Sequence, residues 1–174
     1  MKAAAAALVL ALPLGAGQAR ADAVSRAGDV AAIVLPVGAA TGALVAKDHK
    51  GLAQLAESFA SAMAVTYALK PLVDRTRPDG GHQSFPSGHA TSAFAGAAFL
   101  QMRYGWALGA PAYVVASYVG YSRVEAKRHY TGDVVAGAAI GIAANLAFTR
   151  RREHVAVVVD LGPGHAGSSL VVVW

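Results

Sequence analysis

The sequence predicts an all-α fold: a bundle of about five membrane-spanning helices, followed by a C-terminal β-hairpin tail. Three observations lead there. Hydrophobic residues make up 55% of the 174 and charged residues 14%, with mean hydropathy +0.43, more apolar and less charged than an average soluble domain. Aromatics are only 7% and glycines number 19, so the apolar content comes mostly from Ala, Val and Leu, which suits closely packed helices. The apolar residues also gather into five stretches separated by short polar knots. This length builds one domain, and the composition excludes disorder. With no cysteine there is no disulfide, thiolate metal site or cysteine nucleophile. Fifteen Lys and Arg against ten Asp and Glu give a net charge of +5, which suits nucleic acid, anionic lipid or a phosphorylated substrate. Where the cations sit must decide among these.

Residues 1–21 read as a secretory signal: Lys2 first, an apolar run over 3–14, then small residues ending Ala19-Arg20-Ala21. Cleavage before Asp22 would remove Lys2 and Arg20 and lower the net charge to +3. The alternative is an uncleaved helix, since Ala-rich segments are helical anyway. The helical domain then covers 22–153. Its apolar stretches are 30–46, 51–69 with a lone Glu57, 90–102, 106–121 and 134–149. Most fall a little short of the roughly 20 residues a spanning helix needs, so a soluble bundle is the alternative to a membrane one. Gly137 and Gly141, four residues apart, let helix backbones approach. Pro36 and Pro111 each imply a kink or a helix start. If a signal delivers the chain outside and the stretches alternate in direction, 47–50, Arg103 and 150–152 share the inner face. The polar loops 70–89 and 122–133 then share the outer one. In the tail, 154–174, β-branched runs flank Gly162-Pro163-Gly164, which predicts the hairpin.

The first outer loop carries Lys70 and Arg77, with Asp74 and Arg75 between them. If the segment is helical, seven residues are nearly two turns, and both cations lie on one face. Pro71 would fit a helix restarting there. Alone, this cluster reads first as a solvated charge group beside the membrane. Phe85-Pro86-Ser87-Gly88-His89 leads into an apolar stretch and places a hydroxyl and successive N–H groups at a helix N-terminus, an anion site. There is no G-x-S-x-G elbow to make Ser87 a hydrolase nucleophile. Ser122-Arg123, His129 and Asp133 complete the set. Asp133, four residues after His129, can reach the ring and hold one nitrogen protonated while the other offers a lone pair. A metal-site fragment or a helix-capping pair would look the same.

Together the strings K-x6-R-P (Lys70, Arg77, Pro78), P-S-G-H (Pro86, Ser87, Gly88, His89) and S-R-x5-H-x3-D (Ser122, Arg123, His129, Asp133) resemble the three signature motifs of the type 2 phosphatidic acid phosphatase and vanadium haloperoxidase superfamily. The resemblance spans 70–133 strictly. It implies that Lys70, Arg77 and Arg123 grip phosphoryl oxygens, with Ser87 and the Gly88 N–H completing the cradle. It further implies that His129 attacks phosphorus to form a phosphohistidine, that Asp133 orients His129, and that His89 protonates the leaving oxygen, with no metal or other cofactor. His82 matches no motif position. The function expected is hydrolysis of a lipid phosphate or diphosphate at a membrane, with the site facing the periplasm or cell exterior. The substrate's identity and the oligomeric state stay open. The alternatives are a soluble periplasmic acid phosphatase of the same fold, or a non-catalytic membrane protein that binds anionic headgroups. A haloperoxidase fits less well, because the chain is short for a halide pocket. A nucleic-acid partner is not expected, since the cations sit at loop ends without interleaved aromatics.

Overall fold

A computed structural model describes residues 14–152, 156–162 and 165–171, with side chains described for 21–152. Most of the expected signal segment lies outside these residues. Five helices follow in order: α1 (Leu14–Val45), α2 (His49–Val73), α3 (Gly88–Tyr104), α4 (Trp106–Glu125) and α5 (Thr131–Phe148). Each expected apolar stretch is helical, so the helical domain is an all-α bundle as predicted. α1 passes Ala21 without a break. After α5, the backbones of β1 (Ala156–Gly162) and β2 (His165–Val171) pair antiparallel, Ala156 opposite Val171. The side chains of the tail, and so its docking, lie outside the described residues.

α3 is the central helix, packed against the other four. Its composition explains this. Ala90, Ala93, Ala95, Ala97 and Ala98 are buried around its circumference, with Phe99 as the one large core side chain. Small residues let the neighbouring backbones come close. A Cβ on Gly96 would lie 2.9 Å from the Pro36 nitrogen of α1, and one on Gly141 would lie 2.7 Å from the Thr91 carbonyl oxygen. The large apolar side chains point the other way: Val30, Ile33, Val34 and Val37 on α1, Val114 on α4, and Val135 and Leu146 on α5 are all exposed. Small residues inside and large ones outside is the arrangement of helices packed in an apolar surrounding. Two helical segments, Ala21–Val45 and Thr131–Phe148, are long and apolar enough to cross a membrane, and most of each lies on the outside of the bundle.

For the prolines, the structure removes the helix-start reading and leaves the kink. Pro36 and Pro111 lie inside α1 and α4, and neither starts a helix. Pro71 does not restart one either. α2 runs on to Val73 and stops at Asp74, which takes the left-handed conformation (φ 37°, ψ 45°) and donates its N–H to the Lys70 carbonyl at 3.0 Å. In the last turn Pro71 forfeits a single helical hydrogen bond, which the helix tolerates.

Two polar regions sit at opposite ends of the bundle. At one, Asp48 caps α2 through the Gly51 N–H at 2.9 Å and accepts from Arg103 Nε at 2.7 Å, Arg103 Nη2 at 2.6 Å and the Tyr104 hydroxyl at 3.0 Å. Arg103 Nη1 donates to the Arg150 carbonyl, and Arg152 Nη2 to that of Ala46. The three knots that the alternation grouped together therefore meet at one end, and the two motif-bearing loops meet at the other.

Candidate active site

A cavity of about 600 Å³ opens at the loop end. Lys70, Arg77, Gly88, His89, Arg123 and His129 all line it, from all three motifs. Lys70 comes from the last turn of α2, where Nζ donates to the carbonyls of Gln83 at 3.0 Å and Pro86 at 3.2 Å. Partial burial lowers its pKa, and the Arg77 charge lowers it further against the pull of Asp133.

Because α2 ends at Val73, Arg77 lies in the polar loop and not on a helix face shared with Lys70, the arrangement a helical 70–77 would have given. That loop is held by Arg77 N–H to the Gly81 carbonyl at 2.7 Å and by Gly80 N–H back to Arg77 at 3.0 Å. Gly80 has φ 87°, a conformation that suits glycine. Among the described residues, Arg77 Nε is buried without a hydrogen-bond partner. A buried unpaired guanidinium N–H is costly, and an anion in the cavity would satisfy it.

Ser87 also departs from expectation. It caps α3, its Oγ accepting from the Ala90 N–H, and it is fully buried rather than lining the cavity. Its own N–H donates to the Asp133 carbonyl at 2.9 Å, so it ties the P-S-G-H turn to α5. From that turn, Gly88 and His89 are the residues that reach the cavity.

His129 is buried, and its Nδ1 lies 2.7 Å from the Ser84 carbonyl oxygen. That oxygen can only accept, so Nδ1 carries the proton and Nε2 keeps the lone pair. The direct Asp133 contact that the spacing allowed is not made. Asp133 Oδ2 is 4.0 Å away, because its carboxylate is taken up by the Tyr130 N–H at 3.0 Å, Ser84 Oγ at 2.5 Å and Arg75 Nη1 at 2.9 Å. Asp133 thus grips Ser84, the residue whose carbonyl holds the His129 ring. Burial pushes the His129 pKa down to about 4; the Ser84 bond opposes this, the Arg77 and Lys70 charges add to it, and Asp133 opposes it. The ring is neutral at pH 7.

His89 is half-exposed, with Nε2 3.0 Å from Asp29 Oδ1. Its pKa is lowered, first by burial and then by Arg123, against Asp29. Arg123 is buried and pairs with Asp29 Oδ1 at 2.5 Å and with the Ser25 carbonyl. His82 is far more exposed than any of these and lies 4.0 Å from Asp74.

Three participants have no place in the motifs or the sequence reading, Ser25 and Asp29 on α1 and Ser84 in the first loop, and a fourth, Arg75, stands in the sequence only as a cation between Lys70 and Arg77. Arg75 also stacks 4.1 Å above the Tyr130 ring. Asp29, a lone acid at the edge of an apolar stretch, was the one available signal. Beside the cavity runs an apolar groove of about 340 Å³ between α1 and α2, formed by Pro36, Val37, Leu55 and Phe59 and sharing Ile33 and Ser92 with the cavity itself.

The sequence pattern described as the PAP2 superfamily matches residues 51–154, which include every motif residue above. A lipid A 1-phosphatase of Porphyromonas gingivalis is 45% identical over 73 residues, covering 39% of this chain and 16% of that protein. A lipid A 4'-phosphatase of Helicobacter pylori is 33% identical over 129 residues, covering 67% of this chain and 65% of that one. The chain thus spans less than two thirds of either relative. The crystal structure of Aquifex aeolicus LpxE shares the fold, with a TM-score of 0.65 and 21% identity over 74% of this chain and 84% of that one.

Proposed function

The chain belongs to the PAP2 superfamily, and from that premise we propose that it is a phosphatase that hydrolyses a lipid phosphate or diphosphate through a phosphohistidine. One observation carries this reading: the unpaired Nε of Arg77, the charges of Lys70 and Arg123 and the ring of His129, its Nδ1 already committed, converge on one cavity. Each unit-charge contact at about 4 Å is worth roughly 4 kcal/mol at an effective dielectric near 20, before desolvation is subtracted. Lys70, Arg77 and Arg123 together suffice to bind a phosphoryl dianion and stabilise charge developing on it, with the Gly88 N–H alongside and Ser87 holding the turn.

His129 Nε2 attacks phosphorus, the bond to the leaving oxygen breaks, and His89 gives that oxygen its proton. Water then attacks the phosphohistidine and returns a proton to His89, and phosphate leaves with His129 restored. The roles need opposite protonation states, and the two environments favour the neutral form of His129 outright.

A lipid substrate is supported by the apolar groove that continues from the cavity, by the exposed apolar flanks of the helices, and by relatives named for lipid A. The helices span the membrane in this reading, with the loop end on the periplasmic side, residues 1–21 act as the signal, and the tail packs as a hairpin on the helical domain. The test is phosphate release by the purified full chain from lipid A phosphates, phosphatidic acid, phosphatidylglycerophosphate and isoprenyl diphosphate, run beside His129→Ala. Orthovanadate should inhibit, EDTA should leave activity intact, and His129→Ala should trap no phosphoenzyme. Release from soluble phosphate esters alone would move the assignment to a soluble acid phosphatase. Loss in EDTA that a divalent metal restores would overturn the metal-independent chemistry.

A further inference from the structure

Asp29 is charged, lines the cavity, and has no part in the chemistry above. One of its oxygens, Oδ1, lies 2.5 Å from Arg123 Nη1 and 3.0 Å from His89 Nε2. The fold brings it there by close approach. A Cβ on the preceding residue, Gly28, would run into the Ser122 side chain and the Arg123 guanidinium, so the absence of one lets α1 close onto the end of α4. One turn earlier, the Ser25 carbonyl takes Arg123 Nη2.

The groups facing His89 are Asp29 from α1, Lys70 from α2, Arg77 from the first loop and Arg123 from α4, with Arg128 and His129 on the cavity wall. Among the described residues, Asp29 supplies the negative charge in this set, and every permanent cation opposes protonation of the ring. A general acid nevertheless has to hold its proton before the bond breaks.

We propose that Asp29 is the positioning residue of the general acid: it accepts the Nε2–H of His89, sets the ring so that Nδ1–H faces the leaving oxygen, and keeps the imidazolium populated among the surrounding cations. Nε2–H stays on Asp29 throughout. Nδ1–H passes to the leaving oxygen as the phosphorus–oxygen bond breaks, and the water of the second step returns a proton to Nδ1. The same carboxylate holds Arg123, so the acid and one phosphate-binding cation are set by a single group. The proposal rests on the phosphatase reading for the job of His89, whereas the Asp29–His89 coupling can be measured without turnover.

The experiment titrates the imidazole of His89, assigned with His89→Gln, by NMR of the histidine-labelled full chain in detergent micelles, for the wild type, Asp29→Asn and Asp29→Glu. Losing an opposite charge at this distance should lower the His89 midpoint in Asp29→Asn by about one pH unit, and Asp29→Glu should keep most of it. In parallel, kcat/KM of Asp29→Asn should stay near wild type at the acid end and fall about tenfold on the alkaline side. An unchanged midpoint overturns the proposal whether or not activity changes. So does an equal loss at every pH, the mark of a merely structural role. A gain in activity would also overturn it, showing that the carboxylate instead occupies the place of the phosphate. If the wild type releases no phosphate from any substrate, the proposed function fails, while the midpoint comparison still decides the role of Asp29.

Discussion

At the scale of single residues, the proposed reaction makes the two imidazoles set the pH dependence. In that reaction His129 works with a free lone pair, so activity should fall as pH drops through about 4. His89 works protonated and its pKa lies below the ordinary 6.5, so activity should fall as pH rises through that lowered value. For the free enzyme kcat/KM should therefore trace a bell with its maximum on the acid side, between those limits, and kcat should peak at higher pH, because a bound dianion favours both protonated forms. Flat activity from pH 5 to 9 would contradict these roles. His129→Ala should abolish turnover and the phosphoenzyme together, whereas His82→Ala should change kcat/KM less than twofold, since the His82 side chain is 82% exposed and outside the cavity. The sequence made Lys70, Arg77, Gly88, His89, Arg123 and His129 legible, because side-chain chemistry recurs at fixed spacing. It could not reveal Ser84, whose part in holding His129 is played by a backbone carbonyl that any residue owns. Nor could it reveal Asp29, separated from Arg123 by 94 positions and joined to it only by the packing of α1 on α4.

At the scale of elements, the position of the cradle depends on how closely α5 lies against α3. Gly137 faces the Ser87 carbonyl, where an added Cβ would sit 2.5 Å away. Backbone cannot give way there as a flexible side chain could, so Gly137→Ala should push α5 off the P-S-G-H turn, lowering kcat/KM by tenfold or more along with thermal stability. Gly38 is the control: it lies in α1, and an added Cβ there meets nothing within 4 Å. Gly38→Ala should stabilise the helix by about 0.5–1 kcal/mol and leave turnover alone, as thermal melting in detergent and a phosphate-release assay would show. Hydropathy was enough to find a helix at each of the five apolar stretches, although α1 begins at Leu14, well before its stretch at 30–46. It did not place the end of α2. That boundary depends on Asp74 entering the left-handed region, which no apolar pattern records and which carries Arg77 off the helix and into the loop.

At the scale of the whole molecule, alternating the apolar stretches was enough to separate two polar ends, one that holds the candidate site and one that fastens helices. From Asp48 to Lys70, α2 runs 22 residues, about 33 Å at 1.5 Å per residue, so the fastening end is remote from the chemistry. Burial alone would raise the pKa of Asp48, but hydrogen bonds from Arg103, the Gly51 N–H and Tyr104 outweigh it and hold the carboxyl at about 2. A carboxyl held below its ordinary 3.8 stabilises the fold fully above that value, and the contribution drains away as pH falls toward 2. Asp48→Asn leaves the buried Arg103 guanidinium without its counter-charge, and should cost about 3–5 kcal/mol at neutral pH. Its melting temperature in detergent should then change less between pH 4 and pH 2 than that of the wild type. The clamp touches no residue of the cavity, so kcat/KM per folded molecule should match the wild type at low temperature. If Asp48→Asn instead impaired turnover in protein shown to be folded, the two ends would be coupled through α2, and its helix could no longer be treated as a rigid spacer between them.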